Sequence, residues 1–301
     1  MSNPKATVTP IRPQLVSMFG RAPSYDQVAL TVSPLRAREV GAAPVGPVAD
    51  LTRLARTWLL IGRGGSGKSL VARWLAGKMQ DAGLLDQTLL AALDPTNRTL
   101  AAFFDGVHQP ATRDPGEAVT FLRSLLSYLQ AGNRMHGIWD FGGGDLALAR
   151  MVETDPAFDR TMREHDAAMV ACYLLTPSID DLSVLRSFED AGFRPEATVL
   201  VLNMGRAESL TDFGALRAQA GYKAVLARGG VEIVMPRLEP TEVALEIERK
   251  RLTFGMARDG TVPAGSQVDP IIGLNGMMVR AWLRDLDAAF APIAGWLPWT
   301  N

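Results

Sequence analysis

The most chemically specific stretch of the sequence is Gly62-Arg-Gly-Gly-Ser-Gly-Lys-Ser69, a G-x-x-x-x-G-K-S motif. Its residue types and spacing suit one task, holding a chain of phosphates. Gly62, Gly64, Gly65 and Gly67 let successive backbone N–H groups turn inward around an anion with no Cβ in the way. Lys68 is spaced to reach the β- and γ-phosphates as a point charge, and the Ser69 hydroxyl to ligate Mg²⁺. An apolar run at 57–61 precedes the motif and Leu70-Val-Ala-Arg-Trp-Leu-Ala76 follows it, the strand-then-helix setting it requires. A helix beginning near Lys68 adds its positive dipole end. A glycine-rich turn without a ligand is the bland alternative, outweighed by a complete motif in its proper context. ATP with Mg²⁺ is therefore expected at Gly62, Arg63, Gly64, Gly65, Ser66, Gly67, Lys68 and Ser69.

Such a loop needs carboxylates at neighbouring strand ends. Asp140 closes the run His136-Gly-Ile-Trp-Asp140, and an apolar strand ending in aspartate is the pattern that holds Mg²⁺, directly or through water. The metal ligands expected are Ser69 and Asp140. The glycines of Phe141-Gly-Gly-Gly-Asp145 offer a backbone N–H to a γ-phosphate, a means of sensing ATP against ADP. Asp140-Phe-Gly also matches a kinase triplet, but no H-R-D loop accompanies it, so that match is chance. Asp94 ends the run 88–93 and opens Asp94-Pro95. An Asp-Pro pair is as often a turn former, and the residues alone leave the two readings level.

The elements that must position these groups are legible as alternation. Short, nearly continuous apolar runs stand at 57–61, 88–93, 136–139, 168–175, 198–202 and 231–235, with helical periodicity between them, as in Ala118, Leu122, Leu125 and Leu129. Runs apolar on both faces suit parallel strands covered on both sides. Strand–helix alternation predicts an α/β fold with a doubly wound, mainly parallel sheet flanked by helices. Residues 272–290 predict a last amphipathic helix with Val279, Trp282, Leu283, Leu286 and Phe290 on one stripe. Its polar face mixes Asp285 and Asp287 with Arg280 and Arg284, so packing on the domain is expected rather than a membrane anchor.

Composition bounds the rest. With 301 residues and a net charge of −1, the chain can build one sizeable core and carries no global field toward nucleic acid or acidic membranes. Prolines at 4, 10, 13, 23, 34, 44 and 47 predict a partly ordered arm over 1–50, ahead of a nucleotide-binding domain over 51–301. The single cysteine, Cys172, lies in an apolar run and reads as a small buried hydrophobe. With no apolar leader or spanning run, a cytoplasmic setting is expected and a membrane partner is not. Glu246-Ile-Glu-Arg-Lys-Arg251 is a candidate contact for nonspecific DNA. Two interleaved glutamates and the Glu246–Lys250 spacing favour a solvated helix instead. His108, His136 and His165 have no metal-ligand spacing.

Taken together, these motifs resemble the ParA/MinD family of P-loop switch ATPases. Residues 62–69 are similar to that family's G-K-G-G-x-G-K-[ST] loop, with Arg63 where the family has its signature lysine. Asp94-Pro95 resembles the end of its D-x-D-P switch, with Ala92 in place of the first aspartate. Asp140 with Gly144 resembles its D-x-x-x-G segment, and Leu200-Val-Leu-Asn203 its strand ending in an adenine-contacting asparagine. The likeness spans about 57–235. It implies catalytic roles for Lys68, Asp94, Arg63 and Asp140, nucleotide contacts from Gly144 and Asn203, and an ATP-bound homodimer. In that dimer Arg63 reaches the partner's phosphates. It also implies slow hydrolysis stimulated by a protein partner. Family outputs include plasmid or chromosome partition, conjugation and positioning of large assemblies, among which the sequence does not choose. The rival class is a small-molecule phosphotransferase or ligase on the same fold, for which no second polar pocket is legible.

Overall fold

The computed structural model describes residues 41–42, 45–94, 99–112, 114–142 and 146–300. The expected N-terminal arm as far as residue 40, Pro95 and Gly144 lie outside the described residues. The elements run β1 (Ala55–Ile61), α1 (Lys68–Asp81), β2 (Thr88–Ala92), α2 (Pro115–Gln130), β3 (His136–Asp140), α3 (Leu146–Thr154), α4 (Phe158–Glu164) and β4 (Ala167–Leu175). There follow α5 (Leu182–Ala191), β5 (Ala197–Asn203), α6 (Gly214–Arg217), α7 (Ala220–Ala227), β6 (Val231–Met235), α8 (Thr241–Lys250), α9 (Phe254–Asp259) and α10 (Gly273–Phe290).

Among the described residues the six strands form one sheet in the order β2-β3-β1-β4-β5-β6, and every pairing is parallel. The doubly wound α/β expectation holds, and the sheet is parallel throughout rather than mainly so. Alternate residues explain the layering, because successive strand side chains point to opposite faces. Trp58 and Leu60 of β1 pack with α1, α8, α9 and α10, whereas Leu59 and Ile61 pack with α2, α3, α4, α5 and α7. Both faces are dry, which is why the strands read as unbroken apolar runs.

Local chemistry sets the helix ends. Asp114 caps α2 by accepting from the Gly116 N–H at 2.9 Å, and Thr253 caps α9 by accepting from Met256 N–H at 3.1 Å. Gly192 closes α5 at φ 98°, a left-handed stop that costs glycine little. The stripe expected on the last helix is real: Val279, Trp282, Leu283, Leu286 and Phe290 are all buried. Phe290 lies 4.5 Å from the Trp74 ring centroid and 6.2 Å from that of Trp58, binding α10 to α1 and the sheet. No helix among the described residues is long and apolar enough to cross a membrane. Residues just ahead of β1 run against the domain too. Ala42 N–H donates to Glu232 Oε1 at 2.8 Å, and the Ala49 carbonyl accepts from Trp296 Nε1 at 2.7 Å.

Candidate phosphate-binding site

In a doubly wound sheet, ligands sit outside the carboxyl ends of the strands. That end is where β1 delivers the glycine-rich loop. Gly62 and Gly67 are two positions in the loop that demand glycine. Gly62 has φ 146°, and a Cβ there would meet the Leu174 carbonyl oxygen at 2.7 Å. Gly67 has φ 106°, with a Cβ meeting Asn203 Nδ2 at 2.7 Å. These constraints fold residues 62–67 back over the strand ends and start α1 at Lys68, so the helix dipole points into the loop.

Lys68 is buried, and its ammonium donates to the carbonyls of Gly62 at 2.6 Å and Arg63 at 3.0 Å. Two of its three donors are thereby taken up within the loop, which fixes the positive charge inside the cradle. The next residue, Ser69, donates its hydroxyl to Asp140 Oδ2 at 2.7 Å. Parallel register explains the meeting: Asp140 pairs with Leu60 of β1 on one side and Ala92 of β2 on the other. The last residue of β3 is thus level with the start of the loop.

Asp140 is nearly fully buried, and burial pushes its carboxyl up to about 6 against the opposing pull of the Ser69 hydrogen bond and the Lys68 charge. The Asp94 charge raises it further. Asp94 stands just past the end of β2, close enough that a Cβ on Gly142 would lie 3.3 Å from its carboxyl carbon. The Asp140 Oδ1 and the Ser66 hydroxyl are buried without hydrogen-bond partners among the described residues. The Asp140 carboxylate, bonded to the Ser69 hydroxyl and with one oxygen buried and unmatched, forms a donor set that suits a hard divalent cation with oxygen ligands. Asp140 and Ser69 would hold it.

The opposite side of the loop is braced by β5. The Asn203 amide donates to the Ser66 carbonyl at 2.7 Å and accepts from Gly205 N–H at 2.8 Å. Asn203 is therefore engaged with the protein backbone, as a brace on the loop. Arg206, which sequence reasoning missed, donates from Nε to the Gly65 carbonyl at 2.9 Å. Its signal was position alone, three residues past the end of β5. Arg63 is half exposed, with Nη1 3.6 Å from Asp180 and 3.7 Å from Asp181. Asp181 was missed as well; it is buried and accepts from Thr176 N–H and hydroxyl at 2.6 and 2.7 Å. The structure therefore gathers Lys68, Ser69, Asp94 and Asp140 on one side of the loop and Asn203 on the other.

Cys172 is fully buried in β4, and burial alone drives its thiol upward, away from reactivity. Lys250 reaches Glu246 at 2.6 Å along α8, the expected i,i+4 pair, but both side chains are largely covered rather than solvated, and Asn275 also donates to Glu246 at 3.2 Å. No group of metal-ligating histidine, cysteine or carboxylate residues stands out among the described residues. No family model matches the chain, and no curated protein matches it in sequence.

Proposed function

We propose that the chain is a nucleotide-gated switch ATPase of the ParA/MinD kind, binding ATP with Mg²⁺ at residues 62–69. The observation that carries this reading is the Ser69–Asp140 pair beside Lys68. A hydroxyl, a buried carboxylate with one unmatched oxygen, and a buried ammonium converge on one glycine-rich loop. Bound there, Mg²⁺ would supply neutralisation of charge on the β- and γ-phosphate oxygens.

The chain's own groups divide the remaining work. Loop N–H groups and Lys68 hold the phosphates, and Asn203 and Arg206 keep the loop's far side in shape. Asp94 orients the attacking water. Its position beside Gly142, just past the end of β2, suits a group that acts on water. Arg63 acts in trans, meeting phosphates bound by a second copy. Its present partners, Asp180 and Asp181, are at 3.6 and 3.7 Å; the exposed pair with Asp180 costs little to part, and the buried Asp181 keeps its Thr176 hydrogen bonds when Arg63 leaves. Hydrolysis is slow and stimulated by a protein partner, in a cytoplasmic setting. The process served is partition, conjugation or the positioning of an assembly.

Sedimentation velocity of wild type and Arg63→Ala, with ADP and with a nonhydrolysable ATP analogue, tests the reading. Wild type is expected to dimerise only with the analogue, and Arg63→Ala to stay monomeric while still binding nucleotide. A dimer unchanged in Arg63→Ala would remove the trans role. A wild type monomeric under both nucleotides would favour the phosphotransferase class instead.

A further inference from the structure

Away from the loop, α1, α9 and α10 enclose a cavity of about 500 Å³, within the size range of small-molecule sites. Its floor is apolar and buried: Trp74, Phe254 and Leu283. Two glycines open it, Gly77 inside α1 and Gly255 in the first turn of α9. Gly77 of α1 has nothing within 4 Å of where a Cβ would stand, and at Gly255 of α9 the nearest atom would be 3.6 Å away. Glycine inside a helix costs about 1 kcal/mol relative to alanine, and at Gly77 no close approach of another element accounts for it. The glycine here keeps space empty.

The rim is cationic. Lys78, Arg258, Arg280 and Arg284 line the cavity against two carboxylates, Asp81 and Asp287. Asp287 is occupied, accepting from Lys78 at 2.8 Å and from Trp74 Nε1 at 3.0 Å. Asp81 takes both Arg258 nitrogens, at 2.5 and 3.2 Å. Asp259, outside the lining, also holds Arg258, at 2.7 and 2.8 Å, and draws on the Arg280 charge. Among the lining residues, the cations not matched by a lining carboxylate are Arg280 and Arg284, one turn apart on α10. Arg280 is in no salt bridge among the described residues, its Nη1 donating to the Arg258 carbonyl at 2.9 Å. Arg284 has only the exposed neighbour Asp285 at 3.2 Å, a pairing worth little in water.

An aromatic and aliphatic floor beneath two guanidiniums that no lining carboxylate matches is complementary to one ligand chemistry. We infer that this cavity binds an amphipathic organic anion, with an aromatic or branched apolar body on Trp74 and Phe254 and one carboxylate, sulfonate or phosphate at Arg280 and Arg284. Guanidinium forks suit such anionic groups because they offer paired donors. The cavity and the phosphate loop share α1. Gly77 lies nine residues beyond Lys68, about 14 Å along the helix axis, so the two ligands would occupy separate sites. This inference does not depend on the nucleotide-switch reading.

The probe is 1-anilinonaphthalene-8-sulfonate, titrated by fluorescence into the full chain, with its neutral counterpart N-phenyl-1-naphthylamine for comparison. The expected result is saturable binding of the sulfonate at one site, with the neutral amine at least about tenfold weaker because it forgoes charge-assisted hydrogen bonds. Gly77→Leu fills the cavity with a residue that favours the helix, so it should fold normally and abolish saturable binding. Arg280→Gln should weaken the sulfonate about tenfold and leave the amine unchanged. Undiminished sulfonate binding in Gly77→Leu, equal affinity for the neutral amine, or displacement of the probe by ATP would each overturn the proposal.

Discussion

The two ends of the sheet handle polar groups in opposite ways. At the amino end, the buried Arg56 guanidinium donates to the carbonyls of Leu51 at 3.0 Å and Leu297 at 3.4 Å. Nearby, Trp58 Nε1 meets the Trp296 carbonyl at 3.1 Å, and Trp296 Nε1 meets the Ala49 carbonyl at 2.7 Å. Each donor has a backbone partner, and the chain segments on either side of the domain are tied together there. At the carboxyl end, Asp140 Oδ1 and Ser66 Oγ are buried without partners among the described residues, and Asp140 is pushed up to about 6. Unpartnered atoms alone do not mark a site, since Thr57 Oγ1 and Trp139 Nε1 in mid-sheet also lack partners. The carboxyl end differs because its unmatched atoms include a titratable carboxylate oxygen, lie beside a buried ammonium, and face a loop that only glycine can form. The amino end satisfies its polar groups internally, and the carboxyl end leaves them in the state the proposed ligand site requires.

Mutations at the two ends should therefore separate stability from binding. The largest effect is expected at the amino end. Trp296→Ala removes a buried indole and its bond to Ala49, at a cost of about 3–5 kcal/mol. Urea denaturation should show it, and ATP affinity measured below the transition should be unchanged. Loss of ATP affinity in the folded mutant would mean the two ends are coupled. The converse change is Lys68→Ala, which removes the loop's fixed charge. Titration calorimetry should show ATP affinity falling at least about 100-fold, with stability falling by about 1–3 kcal/mol, less than in Trp296→Ala, because the Gly62 and Arg63 carbonyls lose a buried donor. Wild-type affinity in Lys68→Ala would sink the assignment of the loop.

How far the sequence revealed each end follows from the same contrast. β6 was legible over all five residues, and the other strands to within two residues at either end, because strands dry on both faces leave unbroken apolar runs. Charged residues hidden inside elements were not legible. β1 begins at Ala55 rather than Thr57 because Arg56 finds buried carbonyl partners. Glu232 sits inside β6, accepting from Tyr222 at 2.5 Å and Arg217 at 2.9 Å; those partners come from other elements. Arg73 of α1 is buried, lying 3.4 Å over the Phe103 ring and bonded to Glu248. At the site, Lys68, Ser69 and Asp140 were legible because motif spacing fixes them. Arg206 and Asp181 were not, because what matters is the Gly65 carbonyl and the Arg63 guanidinium they meet across strands.

Asp94 sharpens the division within the carboxyl end itself. If it orients water rather than phosphate, Asp94→Ala should lower ATP turnover about 100-fold, the scale of one general-base contribution. ATP affinity should stay within about threefold. Steady-state hydrolysis at saturating ATP decides this, and an unchanged rate would leave Asp94 as a turn residue at the end of β2.

The smallest effect tests the claim that the carboxyl end gives up stability for its ligand. Asp140 binds its proton more tightly folded than unfolded, holding it to about 6 against an ordinary 3.8. Its contribution to stability is therefore lost as pH rises from 3.8 to about 6 and stays lost above that, where the buried carboxylate is charged. Asp140→Asn removes this penalty, keeps an oxygen for the Ser69 hydroxyl, and gives up the attraction to Lys68. At pH 7.5, without nucleotide, Asp140→Asn should gain about 1–2 kcal/mol, a rise of about 2–6 °C in melting temperature. His136 complicates a single titration curve. Burial and then the Arg56 charge hold its pKa down to about 4, so acid also destabilises the protein between 6.5 and 4. Subtracting the Asp140→Asn curve from that of wild type cancels that contribution, leaving a difference that grows from pH 4 to 6 and then levels. Magnesium with ATP should reverse the ranking and make wild type more stable than Asp140→Asn, because a bound cation restores the countercharge that burial took away. An Asp140→Asn protein less stable than wild type at pH 7.5, or a difference curve flat across that range, would show that Asp140 is satisfied as it stands.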